Sequence, residues 1–220
     1  MTLKADLFFS FRSPYSYLAI GRYRDMMRDY DLEIALRPVW PIAIRDPDIL
    51  FTGNPAAPRY ILMDSMRAGE HLGIPIRWPK PDPVAQDLET RKIAKEQPLI
   101  RRLVRIGQAA TRRGTQQGID FAYEVSRIIF SGEVVGWDEG DHLANAAARA
   151  RLDLAQLDQE AIDDHAALDA EIDANQGALE AAGHWGVPTL VFEGEPFFGQ
   201  DRIEMAQWRM EQKGLTKRGG

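Results

Sequence analysis

Residues 5–38, ADLFFSFRSPYSYLAIGRYRDMMRDYDLEIALRP, decide the fold. Ala5–Phe9 is short, aromatic and mostly apolar, the composition of a buried strand. Ser13-Pro14 follows. A serine hydroxyl takes up a first-turn N–H, and proline has no N–H to leave unpaired at the first helical position, so the pair predicts a helix start. Tyr17, Leu18, Ile20, Tyr23, Met26 and Met27 then recur on one helical face. Leu32–Pro38 reads as a second strand, closed by Pro38. A strand, helix and strand in this order predict a parallel pair with a right-handed crossover.

Outward from this unit the character changes. Residues 40–58 carry Pro41, Pro47, Gly53, Pro55 and Pro58 and read as loop, with helical periodicity returning from Arg59 to Leu72. GIPIRWPKPDP, residues 73–83, has four prolines and predicts an extended connection. From about 85 to 182 the chain is rich in alanine and charge, with helices expected over 87–112, 115–131, 138–150 and 158–182. Gly186-Val187-Pro188-Thr189 then precedes Leu190–Phe192, a turn at Glu193–Glu195, and Pro196–Phe198, a hairpin pattern. Asp201 is expected to cap a last helix. The expected fold class is α/β: a βαβ…ββα domain of residues 1–42 and 183–220, interrupted by an all-helical domain of residues 43–182.

Composition narrows the function. The 220 residues carry a formal charge of −6 and are 45% hydrophobic, which is ordinary for a globular chain. An acidic balance argues against nucleic acid as partner. No apolar run is long enough to span a bilayer and no leader pattern opens the chain, so no membrane partner and a cytoplasmic location are expected. There is no cysteine, which removes disulfides, cysteine-ligated zinc and a cysteine nucleophile. His71, His142, His165 and His184 are scattered without ligand spacing, so no metal is expected. The basic residues at 91–113 alternate with apolar ones, as on a solvated helix face, with an anion-binding or dimer surface as the other reading.

Three places have chemical potential. Ser13 stands where a helix N-terminus concentrates positive potential; it either caps the helix or also donates to an anion, a thiolate being the useful case. Pro188, before a strand, is either an ordinary edge proline or a cis one. Asp201-Arg202 either caps a helix or binds a ligand's charged ends.

These pieces in this order, S-P-Y-S-Y-L, L-R-P, G-N-x-x-x-P-x-Y, G-V-P-T and F-F-G-Q-D-R, resemble the 2-hydroxychromene-2-carboxylate isomerase family, a relative of the kappa-class glutathione transferases. The resemblance spans essentially the whole chain. It implies a thioredoxin-like domain with a helical insertion, shared with bacterial disulfide oxidoreductases, in which Ser13 and Ser16 stand at the places of their C-x-x-C cysteines. It implies glutathione as cofactor, its sulfur hydrogen-bonded by Ser13 as the catalytic residue. Val187 and a cis-Pro188 would meet the cysteinyl backbone, Gln200 and Asp201 the γ-glutamyl end, and Asn54 the loop lining the site. A small electrophilic or aromatic substrate and a homodimer are implied as well. The thiolate would add to a conjugated double bond, permit rotation and leave. The chain departs from the family's pattern at Val39–Arg45, where Arg45 or Arg59 is the basic residue left to face a substrate. Two other functions stay open: a kappa-like glutathione transferase and a non-catalytic thioredoxin-fold binding module.

Overall fold

The computed structural model describes residues 2–46, 56–87 and 92–219. Strand β1 (Leu3–Phe9), helix α1 (Pro14–Asp29) and strand β2 (Leu32–Pro38) form the opening unit, and β1 and β2 pair in parallel with Leu7 opposite Leu36. Ser13 caps α1, accepting the N–H of Ser16 at 3.2 Å, with Pro14 directly behind it. All six residues of the apolar spacing, from Tyr17 to Met27, are buried; burial of such a side chain contributes about 1.5–3 kcal/mol.

The chain then runs through α2 (Ile42–Arg45), α3 (Ala56–Leu72), α4 (Pro98–Thr111), α5 (Thr115–Phe130), α6 (His142–Arg149), α7 (Leu154–Asp163) and α8 (His165–Ala181). It returns to the sheet in β3 (Thr189–Phe192) and β4 (Glu195–Phe198), and ends through a 3₁₀ turn at Gln200–Arg202 and α9 (Ile203–Glu211). The sheet order is β2-β1-β3-β4, with β3 antiparallel to both neighbours. Leu7, Phe8 and Phe9 are all buried, because both faces of the sheet are covered. Phe8 clusters with Val39 and Leu179, while Leu7 and Phe9 join the main core, which runs continuously through α1, α4 and α5.

Three expectations need correction. The helix expected from 87 starts only at Pro98. Ala94 donates to Ala85 and Gln86 bridges Ile93, and the Gln97 amide clasps both sides of this loop, donating to Ala85 and Ala94 and accepting from Ala85. Paired backbone there competes successfully with the helical period. The helix expected over 158–182 is two, divided at Asp164, whose carboxylate takes an N–H of Arg112 at the C-terminal end of α4. Asp201 is not the cap of α9: it lies inside the 3₁₀ turn and spends its carboxylate on Arg202. The 40–58 loop also holds the single turn α2, while its Asn54 and Pro55 lie outside the described residues.

Candidate active site

The positions of Ser13 and Val187 follow from the strand ends. The N-terminus of α1 and the segment leading into β3 both lie at the same end of the sheet, as β3 runs antiparallel beside β1 with Thr189 opposite Phe8. The Val187–Pro188 peptide is cis. The Ser13 hydroxyl donates to the Val187 carbonyl at 3.3 Å. The N–H of Val187 has no hydrogen-bond partner among the described residues. Beneath them Ser16 is fully buried and its hydroxyl lies 3.5 Å from the N–H of Ser10.

Ser13 and Val187 share the wall of a cavity of about 450 Å³. Such a volume suits a small-molecule ligand. The rest of the wall is mainly apolar and aromatic, with Ile61, Leu62, Trp78, Trp185 and Phe198 prominent. His184 stacks on Phe198 with ring centroids 4.1 Å apart and on Trp185 at 5.6 Å. Its Nδ1 accepts the N–H of Gly186 at 2.9 Å, fixing the turn before Val187.

Besides Ser10, Ser13, Gln86 and Asp87, three polar side chains of the wall are anchored by named partners. Arg12 forms a bidentate pair with Asp82, both contacts 2.9 Å, and its guanidinium lies 5.6 Å from the centre of the Trp78 ring. Asp82 also accepts from Val84 and Gln86. The proline-rich connection is thereby fastened to the loop after β1, with Trp78 on the cavity wall. Tyr15 donates to Asp64 at 2.8 Å. Burial first, and then Asp64, hold the phenol well above its usual range, with Asp201 adding to the effect. Arg45 donates to the carbonyls of Trp40 and Trp185.

Of the residues singled out from sequence, the structure therefore brings together Ser13, Val187 and Arg45 on one wall, with Pro188 adjoining and Arg59 off it. Gln200 and Asp201 sit on the neighbouring 3₁₀ turn, outside the cavity wall; Arg22 donates to the Gln200 backbone at 2.6 Å and reaches its side chain at 3.4 Å. Asn54 lies outside the described residues. Arg12, Tyr15, Trp78, Asp82, Trp185 and Phe198 were not foreseen. The available signal was two tryptophans beside prolines or glycine, at Trp78-Pro79 and Trp185-Gly186. Among the described residues no cluster of His, Asp and Glu is placed to hold a metal ion, and no helix is long and apolar enough to cross a membrane.

Most basic residues of α4 and of the turn just past it are matched within the fold, while the Arg101 guanidinium lies 5.3 Å from the centre of the Trp40 ring. Arg102 pairs with Asp158, Arg105 with Asp169, and Arg112 with Glu160, Asp164 and Glu171. They bind α7 and α8 rather than presenting a free cationic face.

A family model described as a DSBA-like thioredoxin domain matches residues 4–211. No curated protein matches the chain. Among solved structures the chain is similar to a 2-hydroxychromene-2-carboxylate isomerase, with TM-score 0.70, 22% identity and 96% of each chain covered. A probable DsbA oxidoreductase from Streptomyces coelicolor aligns with TM-score 0.66 and 16% identity, over 96% of this chain and 89% of that one. The cytosolic disulfide reductase DsbM from Pseudomonas aeruginosa aligns with TM-score 0.58 and 13% identity, over 96% and 99%. At these identities the likeness is one of fold.

Proposed function

Because the chain belongs to the DSBA-like thioredoxin domain family, we propose that it is a glutathione-dependent isomerase of the 2-hydroxychromene-2-carboxylate isomerase type, acting on a small apolar electrophile. One observation carries this: at the start of α1, on the cavity wall, stands a hydroxyl where a thiol-exchange enzyme needs a thiol. Thiol–disulfide exchange requires a thiolate, and this sequence has no cysteine. A hydroxyl at a helix N-terminus is instead suited to stabilising a thiolate that a ligand brings.

The residues present fit a cysteinyl group. The Ser13 hydroxyl, now directed at Val187, turns from a neutral carbonyl to a charged acceptor, and hydrogen bonds to charged groups are about twice as strong as neutral ones. The free N–H of Val187 offers a donor to a ligand carbonyl. Bound glutathione would supply a thiolate as a nucleophile that adds reversibly to a conjugated double bond. Trp78, Trp185 and Phe198 provide the apolar surface for the electrophile and exclude water from it. A thiol with an ordinary pKa of about 8.5 needs a shift of only a unit or two to ionise at neutral pH.

Thermal unfolding with millimolar glutathione tests the reading. A ligand bound only by the native state must raise the melting temperature, and no shift would contradict it. A kappa-like transferase would use the same wall, but would consume glutathione with a generic electrophile, whereas an isomerase returns it. The cavity beside Ser13 favours either enzyme over a binding module without a pocket.

A further inference from the structure

We infer that His184 is a positioning residue of the site: it holds the Gly186–Val187 backbone in place only while its Nδ1 is unprotonated. This rests on the glutathione reading for the identity of the ligand, and it adds a pH dependence to ligand binding.

A backbone N–H can only donate. The N–H of Gly186 meets the His184 Nδ1 at 2.9 Å, so that nitrogen is the acceptor and the ring is the neutral form with its proton on Nε2. The ring is also hemmed in. It stacks on Phe198 and on Trp185, both of which line the cavity. A Cβ built on Gly186 would lie 2.5 Å from the Phe198 ring and 3.1 Å from Cε1 of His184, so backbone and rings are in close contact.

Three contacts set this short stretch. Nη2 of Arg45 donates to the Trp185 carbonyl at 2.6 Å, and the Thr189 hydroxyl donates to the Gly186 carbonyl at 2.7 Å. Between these two carbonyls, His184 accepts the Gly186 N–H. Among the described residues, the charged side chains nearest the turn along its neighbouring elements are Glu180 on α8, Arg45 and Asp46 at the end of α2, Glu195 on β4, paired with Arg209, and Asp201, paired with Arg202. Carboxylates and guanidiniums hold their charge across the range in which an imidazole gains a proton. Of the three contacts, only the one made by His184 therefore changes there. A proton on Nδ1 sets two donors against each other, so the ring or the peptide must move. Either movement displaces Val187, whose carbonyl receives the Ser13 hydroxyl.

The probe is S-methylglutathione, whose thioether cannot ionise and whose amine and carboxylates keep their charge over the range used. Calorimetry measures its binding to the wild type, His184→Asn and His184→Phe from about pH 7 to about pH 5. NMR follows the Gly186 and Val187 amides of the free proteins over the same range. Wild-type affinity falls about tenfold one pH unit below the midpoint of the ring, because roughly a tenth of the molecules then keep the competent form. Both amides move with the His184 ring. His184→Asn puts an amide oxygen in the place of Nδ1 and cannot titrate, so its affinity stays level and its two amides do not move. His184→Phe keeps the stacking without the acceptor and binds weakly at every pH. Measurable wild-type binding that stays level, or wild-type amides that ignore the ring, would each overturn the inference without recourse to a variant. A pH response retained in full by His184→Asn, or wild-type affinity in His184→Phe, would overturn it as well. Amides that follow the ring in a protein that binds neither glutathione nor its S-methyl derivative would overturn the glutathione reading alone.

Discussion

The Ser13 hydroxyl donates to the carbonyl of Val187 at 3.3 Å while accepting the N–H of Ser16 at 3.2 Å. One side chain thus caps α1 and faces the residue before Pro188. The two roles separate in Ser13→Ala. Losing the cap costs about 1 kcal/mol, which lowers the melting temperature of a chain this size by roughly 2–4 °C. Under the proposed function, turnover falls by far more than that loss of fold explains. Calorimetric unfolding beside kinetics checks this; a melting drop of that size with unchanged turnover would make Ser13 a cap and nothing more.

Arg12 and Asp82 fasten the proline-rich connection beside the site, their side chains 11% and 15% exposed. Arg12→Met leaves a carboxylate short of its main partner. The expected loss is about 2–3 kcal/mol, below the roughly 3–5 of a fully buried pair because some water reaches it. Trp78 fluorescence shifts at the same time. A double-mutant cycle with Asp82→Leu measures the coupling, and additivity would show the pair idle.

Two glycines on helices predict opposite signs. A Cβ at Gly107 in α4 would lie 2.4 Å from the Phe11 ring, which is locked edge-on between Phe9 and Phe121. Gly107→Ala is therefore destabilising by about 1–3 kcal/mol despite the better helix former. At Gly177 in α8 nothing lies within 4 Å of that position, so Gly177→Ala stabilises by about 0.5–1 kcal/mol. Urea midpoints read both.

Acid should loosen α8 from α4. The hydrogen bond from Arg112 holds Glu171 below its ordinary 4.5, with burial opposing and Gln108 assisting. A depressed folded value means that the contribution is complete above the unfolded value and is lost as pH falls through the folded one. Melting temperature therefore drops below about pH 4, less steeply in Glu171→Gln. Identical acid limbs for the two proteins would refute the assignment.

The opening βαβ unit was legible because its signals are local: a capping serine, a proline at N1 and a single apolar face. Ser13 stood out on the same local grounds, at the start of α1, whereas the role of Val187, two residues before β3, came only with the resemblance. What remained hidden depended on partners far along the chain. The helix expected from 87 gave way to a loop clasped by Gln97, and the α7–α8 division falls where Arg112 reaches across from α4. The aromatic wall was unreadable because Trp78 and Trp185 stand 107 positions apart in irregular segments, where periodicity has nothing to report. The capping role expected of Asp201 failed because Gly199, at φ 103°, starts a 3₁₀ turn first.

Under the proposed function, Ser13 lowers the pKa of a thiol the polypeptide does not itself possess. Ultraviolet titration of thiolate absorbance, with glutathione bound to the wild type and to Ser13→Ala, tests it most directly. Thiolate is expected to form on the wild type a unit or more below free glutathione, and Ser13→Ala to move the transition back toward the free value. Titration of bound glutathione at its free pKa on both proteins would contradict it.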